Sequence, residues 1–146
     1  MEIKTLLEQR GLLIFDGAMG TQLQAKGLKT GETPELLNLT AKDLLKEIHR
    51  SYIDAGADII SANTFGANSY KLSHSGKSVD EIITAGIINC KEAIKESGKD
   101  VFCALDIGPI GQLLEPTGSL KFEEAYDIFR EEIVAGYKAG ADLSLI

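Results

Sequence analysis

Four short apolar runs punctuate the chain, at residues 12–15 (LLIF), 58–62 (DIISA), 101–105 (VFCAL) and 142–146 (DLSLI). Each is continuous rather than alternating, as in a strand covered on both faces. Between them apolar residues recur at helical spacing. Leu44, Leu45, Ile48, Tyr52 and Ile53 predict a helix over 36–55, with Thr40 and Asp43 as a capping box and Gly56 as its stop. Ile82, Ile83, Ile87, Cys90 and Ile94 predict a second, opened by a Ser78/Glu81 box and ended by Gly98. Phe122, Ala125, Phe129, Ile133 and Val134 form the inward stripe of a third over 119–138. Its acids Glu123, Glu124, Glu131 and Glu132 read as a solvated face. A short amphipathic stretch over 3–9, halted by Gly11, precedes the first strand. The joints at 55–58 and 139–142 share the letters AGAD, one helix stop and strand start used twice.

Strand, long loop, helix, strand is an order that dictates parallel strands with helical crossovers. A doubly wound sheet and a (β/α)8 barrel both satisfy it. Loop asymmetry favours the barrel: the connections after strands are long (16–36, 63–78, 106–119) and those before them short. Barrel enzymes carry their chemistry on the former. The turn Gly17-Ala18-Met19-Gly20 lacks the GxGxxG spacing of a dinucleotide site. The strand starts lie 46, 43 and 41 residues apart. Eight such units need roughly 300 residues, about twice this chain. The expected fold class is therefore α/β: the N-terminal half of a (β/α)8 TIM barrel, parallel strands alternating with helices, truncated in the fourth strand. Residues 1–146 would form one partial domain, and the apolar end at Leu145-Ile146 agrees with that expectation.

With 44% hydrophobic and 25% charged residues the chain is globular in composition, and a net charge of −7 argues against nucleic acid or an anionic membrane as partner. No stretch approaches the roughly 18 apolar residues of a membrane span. The N-terminus carries no signal-peptide pattern. Cys90 and Cys103 have no CxxC spacing and read as small buried hydrophobes in a reducing, cytoplasmic setting. His49 and His74 lack partners at ligand spacing, so no zinc site built wholly within the chain is expected.

Candidate chemistry gathers where the strands would open onto their C-terminal rim. After the first, Asp16-Gly17-Ala18-Met19 combines an acid for a ligand ammonium with small residues whose N–H groups can meet a carboxylate or phosphate. On this motif alone, a plain glycine turn with Asp as cap is an equally good reading. After the second strand, Asn63 and Thr64 offer an amide and a hydroxyl, and Phe65 a wall. A structural Asn/Gly-rich loop with a buried Phe is the stronger reading of that motif by itself. Asp106 occupies the same place after the third strand, so three successive strands deliver an acid or amide to one rim. No lysine stands at a strand end, which disfavours a Schiff-base lyase.

Three stretches, FDGAMGTQL (15–23), ANTFGAN (62–68) and ALDIGPIGQLLEPTG (104–118), make the chain resemble the homocysteine S-methyltransferase family. The last of them points to its cobalamin-dependent, methionine-forming branch. The resemblance implies a barrel that binds homocysteine beside a zinc ion held by three cysteine thiolates. Zinc lowers a thiol's pKa so that it reacts as thiolate. The methyl group would come from methylcobalamin recharged by methyltetrahydrofolate, through cobalamin- and folate-binding domains of the parent. Betaine or S-methylmethionine as donor is the alternative. By motif, Asp16 corresponds to the acid that receives the substrate amino group, and Gly17, Ala18 and Met19 to the turn that receives its carboxylate. Asn63, Thr64 and Phe65 correspond to the second-strand rim and Asp106 to the third.

The chain also departs from the family. The family's zinc cysteines lie in its second half, neither Cys90 nor Cys103 aligns with them, and the family's acid at the end of the fourth strand has no counterpart. The implied protein is therefore a methyltransferase fragment with part of the amino-acid rim, no metal ligand, no catalytic residue and no activity of its own. The competing class is a non-catalytic half-barrel that self-associates, because an isolated parallel half exposes two sheet edges.

Overall fold

The computed structural model describes residues 2–146. Helix α1 (Ile3–Arg10) leads through an extended segment to α2 (Met19–Ala25). A 3-10 turn (Pro34–Leu36), α3 (Leu37–Thr40) and α4 (Lys42–Ala55) precede β1 (Ile59–Ser61). Then follow α5 (Val79–Ser97), β2 (Phe102–Asp106), α6 (Phe122–Ala139) and β3 (Leu143–Leu145). The strands are parallel in the order β1-β2-β3, with Ile60 beside Cys103 and Leu105 beside Ser144. The α/β alternation is the one the sequence predicts.

The AGAD joints explain the register. Gly56 and Gly140 stand at φ 104° and 93°, a left-handed backbone that favours glycine. Each is part of a paired helix ending: Gly56 N–H donates to Ile53 C=O and Ala57 N–H to Tyr52 C=O, while Gly140 donates to Tyr137 and Ala141 to Gly136. The aspartate that follows then clasps the preceding strand. Asp58 Oδ2 accepts from Ile14 N–H at 2.9 Å, and Asp142 Oδ2 from Cys103 N–H at 2.7 Å. Arg10 pairs with the buried Asp58, and Lys91 with Asp142.

Four expectations need correction. Residues 12–15 form no full strand: only Phe15 bridges Ile59, and Leu12 and Ile14 are 61% and 54% exposed because the segment is paired on one side alone. The helix predicted over 36–55 breaks at Ala41 (φ −138°, ψ 45°), and the Thr40 hydroxyl donates back to the Leu36 carbonyl instead of capping. The third helix starts at Phe122 rather than 119, with Lys121 N–H bound by the Glu124 carboxylate at 3.1 Å. Leu120 is drawn off to bridge Leu114.

The fourth correction concerns the faces of α6. Phe122, Ile133 and Val134 point outward, while Ala125, Glu132, Ala135 and Gly136 point in. Where α6 presses on β2 the inward residue has to be small, since a Cβ on Gly136 would lie 2.5 Å from Leu105 Cδ2. Glu132, read as solvated, shares this inward face and is 1% exposed. The Ser78 cap forms as expected, its hydroxyl accepting from Glu81 N–H at 3.1 Å. The main core lies between the sheet and α5, built from Ile60, Ile83, Ile87, Cys90, Cys103 and Leu105 among others. Leu23, Leu45 and Ile48 fasten α2 to α4 in a second cluster.

Candidate functional site

At the C-terminal ends of the strands a cavity of about 400 Å³ is walled by Phe15, Asp16, Gly17, Ala18, Met19, Ser61, Ala62, Asp106 and Leu145. Five of the eight residues singled out from the sequence, Asp16, Gly17, Ala18, Met19 and Asp106, meet there. The convergence follows from topology, because parallel strands place their exits on one rim.

Asp16 is anchored at the end of the first extended segment. Its two oxygens accept from the backbone N–H and the hydroxyl of Ser61, at 2.8 and 3.0 Å. Burial raises its pKa above the ordinary value, against the lowering effect of those bonds. Asp106 is pushed up to about 6, first by burial and then by the charges of Asp16 and Glu35. Glu35 is itself buried, and its Oε1 accepts from Gly66 N–H at 2.6 Å. Three carboxyls therefore share one end of the sheet, and none of the ion pairs among the described residues places a cation on Asp16, Asp106 or Glu35. Such an arrangement favours a cationic ligand, which would lower the cost of ionising both rim aspartates.

The other three predicted residues do not line the cavity. Asn63 is buried, its amide donating to Pro34 C=O and to Asn38 Oδ1 at 2.8 and 3.0 Å. Thr64 is fully buried, and its hydroxyl donates to Asp106 C=O at 2.8 Å and accepts from Asp106 N–H at 3.0 Å. Thr64 thus fixes the backbone that carries Asp106. Phe65 is half exposed, with Lys71 Nζ 5.5 Å from its ring centroid. Its carbonyl accepts from Gly108 N–H at 3.0 Å, and a Cβ on Gly108 would come within 2.4 Å of that oxygen. The NTF and DIGP loops touch so closely that glycine is required between them.

Sequence reasoning missed Ser61, Glu35 and the buried amides Asn38 and Asn89. Asn38 binds the carbonyls of Asn63 and Ile82, and its own carbonyl accepts from Asn89 Nδ2 at 3.0 Å. Ser61 is the last residue of β1, at the same rim as the other site positions, a signal the pattern offered. Glu35 lies 31 positions from the backbone it binds, and no local pattern marks it.

Among the described residues no group of three or more His, Cys, Asp or Glu side chains is placed to hold a metal. The two thiols are fully buried, and that of Cys90 is pushed well above its ordinary pKa, chiefly by burial. Zinc binds thiolates, so the donor set present does not fit it. Among the described residues no helix is long and apolar enough to cross a membrane.

The Escherichia coli homocysteine methyltransferase MmuM in its oxidized form superposes with a TM-score of 0.84 at 22% identity, over 97% of this chain and 55% of that one. Its apo form gives 0.71 at 24% identity, over 97% and 51%. At those identities the likeness establishes the fold. The methionine synthase of Mycobacterium tuberculosis is 30% identical over 156 residues, covering 99% of this chain. That of Mycobacterium leprae is 30% identical over 151 residues, covering 96%. The chain spans 13% and 12% of those relatives' lengths. Residues 13–146 match the family model described as Homocysteine S-methyltransferase, and the chain belongs to that family.

Proposed function

We propose that the chain is the N-terminal half of a (β/α)8 homocysteine-binding barrel, ending in its fourth strand. It would supply the amino-acid-recognition rim of an enzyme that transfers a methyl group to the homocysteine thiol to give methionine. The observation that carries this reading is the anionic rim: Asp16 and Asp106 face one cavity, burial raises both aspartates, and the charges of Asp16 and Glu35 raise Asp106 further. An amino-acid ammonium is the ligand that relieves the repulsion, and the turn at Gly17, Ala18 and Met19 presents backbone to the ligand's carboxylate. Asn63 and Thr64 act indirectly, holding the second loop and the Asp106 backbone in place. Phe65 braces the Gly108 loop.

In this reading zinc and its cysteine ligands belong to a part of the parent outside residues 1–146, as do the cobalamin- and methyltetrahydrofolate-binding domains. The protein works in the cytoplasm, and the 146-residue chain forms no methionine on its own. Likeness to two methionine synthases favours the cobalamin-dependent branch over betaine or S-methylmethionine as donor.

Calorimetric titration with homocysteine and with 4-mercaptobutyrate, which lacks the amino group, tests the rim. Homocysteine should bind the chain, and both 4-mercaptobutyrate and the Asp106→Asn variant should weaken the interaction at least tenfold. Equal affinity for the two thiols would remove the basis of the reading. A second proposal concerns assembly: the outward apolar face of α6, where Phe122 and Tyr126 are 69% and 60% exposed, favours self-association of the chain.

A further inference from the structure

The two cysteines do not line the rim cavity, yet the fold brings them together. Cys90 lies in α5 and Cys103 in β2, on either side of one connection. Ile60 of β1 links their positions: its carbonyl oxygen is 3.9 Å from Cys90 Sγ, and its register partner is Cys103. Both thiols are free, fully buried and members of the same core cluster. Burial pushes the Cys90 thiol well above its ordinary pKa, and the neighbouring Cys103 thiol adds to the shift while Lys91 opposes it. Thiols buried in an apolar wall are inert while the wall stays closed. Once opened, each is the other's one possible disulfide partner within the chain.

We propose that Cys90 and Cys103 form a reversible oxidation site whose disulfide fastens α5 to β2. The oxidant is a peroxide. When the core opens transiently, one thiolate attacks the peroxide O–O bond, giving a sulfenic acid and one water. The second thiolate then attacks that sulfur, forming the S–S bond as the hydroxyl leaves as a second water. A small dithiol reverses the link, its own two thiols becoming a disulfide. In a reducing compartment the dithiol is the resting form. Because β2 continues from Cys103 to Asp106, the link would fix the strand that carries the rim acid.

The test treats the folded 146-residue chain with hydrogen peroxide, then denatures it, alkylates with iodoacetamide and measures intact mass. Loss of two hydrogens, no alkylation and a peptide joining positions 90 and 103 are expected. Dithiothreitol should restore two alkylatable thiols, and Cys90→Ser and Cys103→Ser should each abolish the mass loss. A parallel reaction in urea below the unfolding transition allows for slow opening. Two free thiols under both conditions, links between chains only, or an internal link formed only after unfolding would each overturn the proposal.

Discussion

Asp106 is pushed up to about 6 because burial and two neighbouring carboxyls disfavour its charged form. A ligand ammonium reverses that balance, so homocysteine affinity should rise as pH increases through about 6 and level off above it. The Asp106→Asn variant should bind weakly with a flat profile; a sloping profile in the variant would assign the titration elsewhere. Glu132 makes a complementary case away from the rim. Its carboxyl is pushed up to about 7, chiefly by burial, with Glu131 adding to the shift and Lys71 opposing it. Neither of its oxygens has a hydrogen-bond partner among the described residues. An acid whose folded pKa is raised binds its proton more tightly in the folded chain, so its effect on stability declines as pH rises from about 4.5 to 7. Glu132→Gln keeps the shape without the charge, and it should stabilise the chain at pH 8 by about 1–3 kcal/mol. Urea titrations at pH 5 and pH 8 check this, and the gain should nearly vanish at pH 5.

Elements were legible where local chemistry decides them. The three parallel strands, the glycine-stopped helices and the Ser78 cap follow from runs, spacing and caps that a neighbour cannot easily override. The failures occurred where a distant partner decides. Residues 12–15 have the apolar content of a strand but hydrogen bonds on one side only. The face of α6 was misjudged because the space beside Leu105 accepts only small residues and so rotates the helix's bulkier apolar positions outward. The same split runs through the site: Asp16 and Asp106 were visible as strand-end acids, whereas Glu35 and the Asn38–Asn63–Asn89 amides depend on contacts between distant segments. Gly136 tests the packing argument. A methyl group there would displace Leu105 or α6, so Gly136→Ala should lose about 1–3 kcal/mol despite alanine's better helix propensity. A stable variant in thermal or urea unfolding would mean that α6 does not press so closely on β2.

On the scale of the whole molecule, the misjudged face has a further consequence. Leu114, Phe122, Tyr126, Phe129 and Ile133 border a groove of about 450 Å³ on the outer side of α6. Nearby, β3 is paired with β2 alone, and Ile146 is 89% exposed. A second copy can cover this apolar surface, but each copy carries a net charge of −7, so repulsion opposes the encounter. Salt reduces that repulsion over a Debye length of about 10 Å at 0.1 M while leaving apolar burial intact. Self-association should therefore strengthen with both protein concentration and ionic strength, the reverse of an assembly held by salt bridges. Light scattering across a salt series should record masses between monomer and dimer that climb as salt is added. Tyr126→Asp places a charge inside the groove and should return the chain to monomer at every salt concentration, with its circular dichroism unchanged. A wild-type chain that stays monomeric throughout would show that this face needs no partner copy, and the self-association proposal would fall while the rim reading stood.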